Sequence, residues 1–139
     1  MCIGCYSERG MDPSSTLHVM ENLARDLRQY RYSFQREVDL QGGVWEAFQK
    51  SEWSLEVRRE YVLGPKDRVD FWVEGSGIAV ELKTMGPLSK VVSQVARYAA
   101  HDSVHGVLLV TTSQRLARGM PDTLAGKPVR GVLLSGGLF

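Results

Sequence analysis

The chain has 139 residues, 43% hydrophobic and 24% charged, which suffices for one domain with a modest core and is too short for two ordinary ones. Seventeen Lys and Arg stand against sixteen Asp and Glu, so a formal charge of +1 gives no argument for nucleic-acid binding from bulk basicity. The charge is unevenly spread: residues 1–82 hold ten basic and fourteen acidic side chains, and residues 83–139 hold seven basic and two acidic. No window approaches the roughly 18 consecutive apolar residues of a membrane span, and the first residues form neither a basic leader nor an apolar run, so a cytoplasmic protein is expected.

Residues 1–15 read as a flexible tail ahead of a single domain over 16–139. Cys2 and Cys5 have CxxC spacing, but there is no second cysteine pair to complete a zinc or iron–sulfur site, and a reduced tail is the plainer reading. Met11 stands where an alternative start would lie. From Thr16 to about Tyr32, Leu17, Met20, Leu23, Ala24, Leu27 and Tyr30 recur every three or four residues, which predicts an amphipathic helix capped by Ser14, Ser15 or Thr16. Its polar face carries Arg25, Arg28 and Arg31, a solvated stripe in the simplest account.

A second helix is predicted from Phe34 to Lys50, kinked or split at Gly42-Gly43. At about 100° per residue from Phe34, Val38, Val44, Trp45 and Phe48 fall in one arc centred near 340°. Glu37 and Gln41 lie inside that arc, whereas Asp39 and Glu46 lie opposite. A carboxylate and an amide on an inward stripe need partners, because an unpaired buried carboxylate is costly.

The period then changes to two. Leu55, Val57, Tyr61 and Val62 suggest a strand; Gly64-Pro65-Lys66-Asp67 is a turn, Arg68 to Val73 a strand, Glu74-Gly75-Ser76-Gly77 a turn, and Ile78 to Lys83 a strand. Three strands joined by short turns predict an antiparallel meander. Leu88, Val91, Val92, Val95, Ala96 and Ala99 restore helical spacing up to about His101, and Gly106 to Thr111 is an apolar run of buried-strand type. Residues 113–126 leave room for a short helix before a last strand over Val129 to Leu134. The order ααβββαβ(α)β predicts an α/β protein, a mixed sheet flanked by helices.

Chemistry concentrates on Asp70 and on Glu81-Leu82-Lys83. Side chains alternate along a strand, so Glu81 and Lys83 project to one side, and Asp70 meets them if the hairpin brings the strands into register. Two anions beside one cation at a strand end offer hard oxygen ligands suited to Mg²⁺ or Mn²⁺.

The set resembles the PD-(D/E)XK nuclease superfamily, with Asp70 as the motif's first acid and Glu81-Leu82-Lys83 as its tripeptide; Val69 stands where the motif has proline. Gln94-Val95-Ala96-Arg97-Tyr98 is similar to the Gln-X-X-X-Tyr element of the RecB-like branch, and Glu37 resembles the acid that a preceding helix contributes in many members. The resemblance covers roughly residues 34–112. It implies a restriction-endonuclease-like αβββαβ core, here with an extra N-terminal helix, and a metal-dependent DNA nuclease, endonuclease ahead of exonuclease and DNA ahead of RNA.

In that reading Asp70, Glu81 and the Leu82 carbonyl hold Mg²⁺ or Mn²⁺, with Glu37 completing the coordination, and Lys83 orients the attacking water. Gln94 reaches a metal-bound water or the substrate backbone. Arg58, Arg59, Lys66, Arg68, Lys90, Arg97 and Tyr98 are the candidate nucleic-acid contacts, although Tyr98 taken singly is a half-buried core residue and Arg97 a solvated one. His101 and His105 read as capping or surface residues. A homodimer that grips both strands is expected by family analogy. The competing readings are an inactive nuclease-fold binding or assembly module and an unrelated α/β domain whose acids form salt bridges.

Overall fold

The computed structural model describes residues 12–51 and 56–137. Among them are four helices, α1 (Pro13–Arg28), α2 (Glu37–Lys50), α3 (Leu88–Ala99) and α4 (Gln114–Gly119). The strands are β1 (Arg31–Ser33), β2 (Val57–Gly64), β3 (Asp67–Val73), β4 (Ile78–Leu82), β5 (Gly106–Thr111), β6 (Thr123–Leu124), β7 (Lys127–Leu133) and β8 (Ser135–Gly137). Cys2, Cys5, Met11 and Leu55 lie outside the described residues. No described helix is long and apolar enough to cross a membrane.

α1 starts earlier than the hydrophobic period alone indicates. Asp12, not a serine or threonine, is the N-cap: its carboxylate accepts the Ser15 N–H at 3.0 Å, and Pro13 follows where a missing N–H is harmless. Residues 13–15 therefore belong to the helix. It stops at Arg28, and residues expected to prolong it become β1, with Tyr32 buried and its hydroxyl donating to the Leu27 carbonyl at 2.7 Å. β1 pairs in parallel with β8, about a hundred residues away. A Cβ at Gly136 would lie 2.6 Å from the Tyr32 carbonyl oxygen, so this approach of two backbones needs glycine.

The main sheet has the order β2-β3-β4-β5-β7-β6. β2, β3 and β4 form the expected antiparallel meander, β5 and β7 join in parallel, and β6 closes the far edge antiparallel to β7. Helices cover both faces. Met20, Leu23, Leu27, Leu40, Val44 and Phe48 of α1 and α2 pack with Phe71, Val73, Val80, Leu82, Leu108 and Val110 on one side. Val91, Val95, Tyr98 and Ala99 of α3 and Leu116 of α4 pack with Val69, Trp72, Ala79, Val107, Leu109 and Val129 on the other. The α3 and α4 crossovers supply the cover that parallel strands require.

α2 begins at Glu37 rather than Phe34, where the Asp39 carboxylate accepts the Arg36 N–H at 3.0 Å. Its buried residues are Leu40, Val44, Ala47 and Phe48, so the inward arc centres near 270°, about 70° from the sequence estimate. Val38, expected inside, is 55% exposed. Glu37 remains near the centre of the true arc. The glycine pair does not split the helix, which runs unbroken through it: Gly43 lies against the Tyr32 ring, whose Cδ1 would be 3.1 Å from an added Cβ, while Gly42 has nothing within 4 Å. Gly42→Ala is accordingly expected to stabilise the fold by roughly 0.5–1 kcal/mol, read as a raised urea midpoint, because a helix-interior Ala loses less entropy on folding and meets nothing. A lowered midpoint would show that α2 needs the freedom of that residue.

Candidate active site

The site originates in an interruption of the sheet. β3 and β4 pair through Phe71↔Val80, and the ladder stops there. Val69 packs on the α3 face and Phe71 on the α1–α2 face, although two residues apart on a regular strand share a face; the strand rolls over at Asp70. On β2 the pairing skips Glu60, which has φ +47°, between Arg59↔Phe71 and Tyr61↔Val69. The register is the same on both sides of Glu60, and the β2–β3 register shift lies further along, between Val62 and Gly64.

In the gap the two carboxylates replace the missing ladder. Glu81 Oε1 accepts the Asp70 N–H at 3.2 Å, and Asp70 Oδ2 accepts the Leu82 N–H at 2.8 Å. The N–H and C=O of one strand residue share an edge, so the Leu82 carbonyl faces the same gap. Gln41 Nε2 donates to Asp70 Oδ1 at 3.3 Å, and the Tyr98 hydroxyl lies 3.3 Å from Glu81 Oε2. Lys83 is half-buried, and its N–H continues the β4–β5 ladder to the Val110 carbonyl. Among the described residues no carboxylate lies within 4.0 Å of its ammonium, yet its charge acts on both Asp70 and Glu81. The structure thus brings together Asp70, Glu81 and Lys83.

Burial dominates the electrostatics. Glu81 is 4% exposed; desolvation, and then the neighbouring Asp70 charge, push its pKa up to about 8 against the pull of the Asp70 N–H, Lys83 and Tyr98. Burial and then the Glu37 charge raise Asp70, while the Leu82 N–H and Lys83 oppose them. A folded-state pKa above the unfolded value means stability that is complete below about pH 4.5 and lost as pH rises through about 8. In excess chelator the urea midpoint is therefore expected to fall between about pH 5 and pH 8, and the fall to be shallower in Glu81→Gln. Identical pH profiles for the two proteins would remove Glu81 as the source.

Other sequence candidates are placed differently from expectation. Glu37 is turned to the site and Glu46 to solvent, but Glu37 Oε1 accepts the Thr84 N–H and hydroxyl at 2.9 and 3.2 Å, pinning α2 to the end of β4. Among the described residues no group of three or more His, Cys, Asp or Glu is arranged to hold a metal, and the Glu37 carboxylate is engaged by Thr84 while its charge still acts on Asp70. Gln94 does not direct its amide at the acids: Nε2 donates to the Tyr98 hydroxyl at 2.7 Å. Tyr98 is 2% exposed and offers no surface to a nucleic acid; its hydroxyl has Arg68 O at 3.2 Å and Glu81 Oε2 at 3.3 Å as acceptors. Burial, with the Glu81 charge, pushes its own pKa upward, so it remains a donor.

The exposed cations divide. Arg58 pairs with Glu74 at 2.8 Å, Arg59 lies over the Trp45 ring at 5.2 Å, and Arg68 is 3.9 Å from Glu60. Lys66 and Lys90 are exposed, and Arg97 bonds Asp67 through Nε at 3.2 Å. His101 Nε2 meets Asp67 Oδ2 at 2.8 Å; this bond first, then Arg97, holds the Asp67 carboxyl below its usual range. Gln41 and Thr84 are site neighbours that sequence reasoning did not nominate. Gln41 had a signal, its place on the inward arc, while Thr84 had only adjacency to Lys83. No family model, curated protein or solved structure matches the chain.

Proposed function

We propose that this chain is a divalent-metal-dependent DNA nuclease of restriction-endonuclease-like fold, a member of the PD-(D/E)XK group. The observation that carries the reading is the Asp70–Glu81 pair, a half-buried and a buried carboxylate, both with raised pKa, set with Lys83 in a gap of the sheet. A protein built for stability alone does better with apolar groups there, so retained buried acids point to a positive ligand. The chain order α2-β2-β3-β4-α3-β5 is the αβββαβ order of such a core.

The donor chemistry suits Mg²⁺ or Mn²⁺: two carboxylates and the Leu82 carbonyl are hard oxygens, and Mg²⁺ keeps several waters and asks for only one or two carboxylates. When bound, such an ion supplies charge opposite a scissile phosphate and acidifies water. Asp70 and Glu81 hold it in place, Lys83 presents an ammonium to the developing negative charge, and Tyr98, itself held by Gln94, fixes Glu81. A second copy would present the same site to the other strand of a duplex.

One observation favours an inactive binding or assembly module instead: each of the four carboxylate oxygens of Asp70 and Glu81 already accepts a hydrogen bond from the chain. Each oxygen has a second lone pair, so this does not bar coordination. Cleavage separates the readings. With linear, circular, flap and four-way-junction DNA, breakage of phosphodiester bonds is expected with Mg²⁺ or Mn²⁺ and not with Ca²⁺, whose looser coordination misplaces the water. Intact substrates throughout, or full activity in excess chelator, would overturn the proposal.

A further inference from the structure

We infer that the outer face of α3 is the track for one strand of the nucleic acid, with Lys90 and Arg97 each holding a phosphate of that strand; this rests on the nuclease reading above. A depression of about 420 Å³ on that face is lined by Ser89, Lys90, Ser93, Gln94 and Arg97. Lys90, Ser93, Gln94 and Arg97 stand at i, i+3, i+4 and i+7 and so share one side of the helix, opposite the buried Val91, Val95 and Ala99. Two cations, an amide and two hydroxyls line the hollow without a carboxylate. That composition suits a hydrated polyanion rather than an apolar ligand.

The cations are available. Among the described residues Lys90 has no carboxylate within 4.0 Å, and Arg97 meets Asp67 through Nε, leaving its terminal nitrogens for a second anion. Seven helical residues separate them by about 10 Å along the axis, and a strand advances about 3.4 Å per nucleotide, so the face spans about three nucleotides. Gln94 links the track to the acids: it lines the hollow and donates to the Tyr98 hydroxyl, which reaches Glu81. The hollow is thereby tied to Glu81 through the buried Tyr98 hydroxyl.

The test uses fluorescence anisotropy of a labelled single-stranded oligonucleotide and of its duplex, bound to full-length Glu81→Gln protein at several salt concentrations. Adding Lys90→Gln and Arg97→Gln together should make the single-strand log–log salt slope shallower by about 1.4 and weaken binding at least about tenfold near 0.1 M salt. Because Arg97→Gln also frees Asp67, Lys90→Glu alone is the second variant; its lysine is exposed and partnerless among the described residues, and reversing its charge should weaken binding more than Lys90→Gln does. Lys50→Gln removes the same charge about 20 Å along α2 from Glu37 and should leave the slope unchanged. An unaltered slope in the α3 variants, or an equal effect of Lys50→Gln, overturns the track; DNA cleavage by the wild-type protein under those outcomes leaves the nuclease reading standing. A wild-type protein that neither binds nor cleaves DNA overturns both.

Discussion

Alanine at either Asp70 or Glu81 is expected to reduce DNA cleavage by about 10⁴-fold or more, which corresponds to roughly 5 kcal/mol of transition-state stabilisation. The two carboxylates meet across one gap, so either loss dismantles the same constellation, and the double variant should be hardly worse than the singles. The fold should survive. Each acid is destabilised by burial and by like charge, from Glu37 at Asp70 and from Asp70 at Glu81. Removing Asp70 relieves Glu81 of a like charge, and removing Glu81 takes away a desolvated carboxylate, each at the cost of one backbone N–H left without its carboxylate acceptor, worth about 1–3 kcal/mol. The isosteres Asp70→Asn and Glu81→Gln retain an acceptor oxygen and should lose activity equally with a smaller change in melting temperature. Wild-type turnover by a folded Asp70→Ala/Glu81→Ala protein would sink the assignment of chemistry to this gap.

The parts of this architecture that depend on local pattern were legible in the sequence. The β2–β4 meander, α3 and β5 follow from alternation, turn residues and helical spacing, all of which act within a dozen residues. The parts that depend on distant partners were not. β1 exists because Arg31 to Ser33 meets Ser135 to Gly137, and neither three-residue strand carries a pattern of its own. The phase of α2 failed for a related reason: including Val38 and Trp45 in the stripe shifted its centre away from Leu40 and Ala47, which are buried only because of what α1 and the sheet place opposite.

The candidate site shows the same division. Asp70, Glu81 and Lys83 could be nominated because metal chemistry asks for those residue types at that spacing. The device that joins them could not: strict alternation places Val69 and Phe71 on one face, whereas the roll at Asp70, facing the positive φ of Glu60, sends them to opposite faces and turns the aspartate into the gap. Similarly, i and i+4 spacing put Gln94 beside Tyr98, but only the packing of α3 on the sheet buries the tyrosine and makes it, rather than Gln94, the residue that reaches Glu81.

Lys83→Met is expected to lower turnover by about 10²- to 10³-fold, the range for removing one preorganised charge or donor from a reacting centre, while weakening DNA binding far less. Methionine keeps an unbranched stem in the half-buried slot and deletes the charge. The charge has two separable effects. It opposes the rise in pKa of both Asp70 and Glu81, so without it the acids ionise at higher pH and the rising limb of the pH–rate profile should move upward. It also stands free of any close carboxylate among the described residues, available to negative charge developing on the substrate. Lys83→Arg tells electrostatic help from proton transfer, since guanidinium keeps the charge and does not give up its proton. Activity within about tenfold of wild type in Lys83→Arg, with the pH limb restored, assigns the lysine to charge stabilisation; a loss as deep as that of Lys83→Met assigns it to proton transfer or to a fit only an ammonium satisfies. Unchanged turnover and an unchanged pH limb in folded Lys83→Met protein would remove Lys83 from the site.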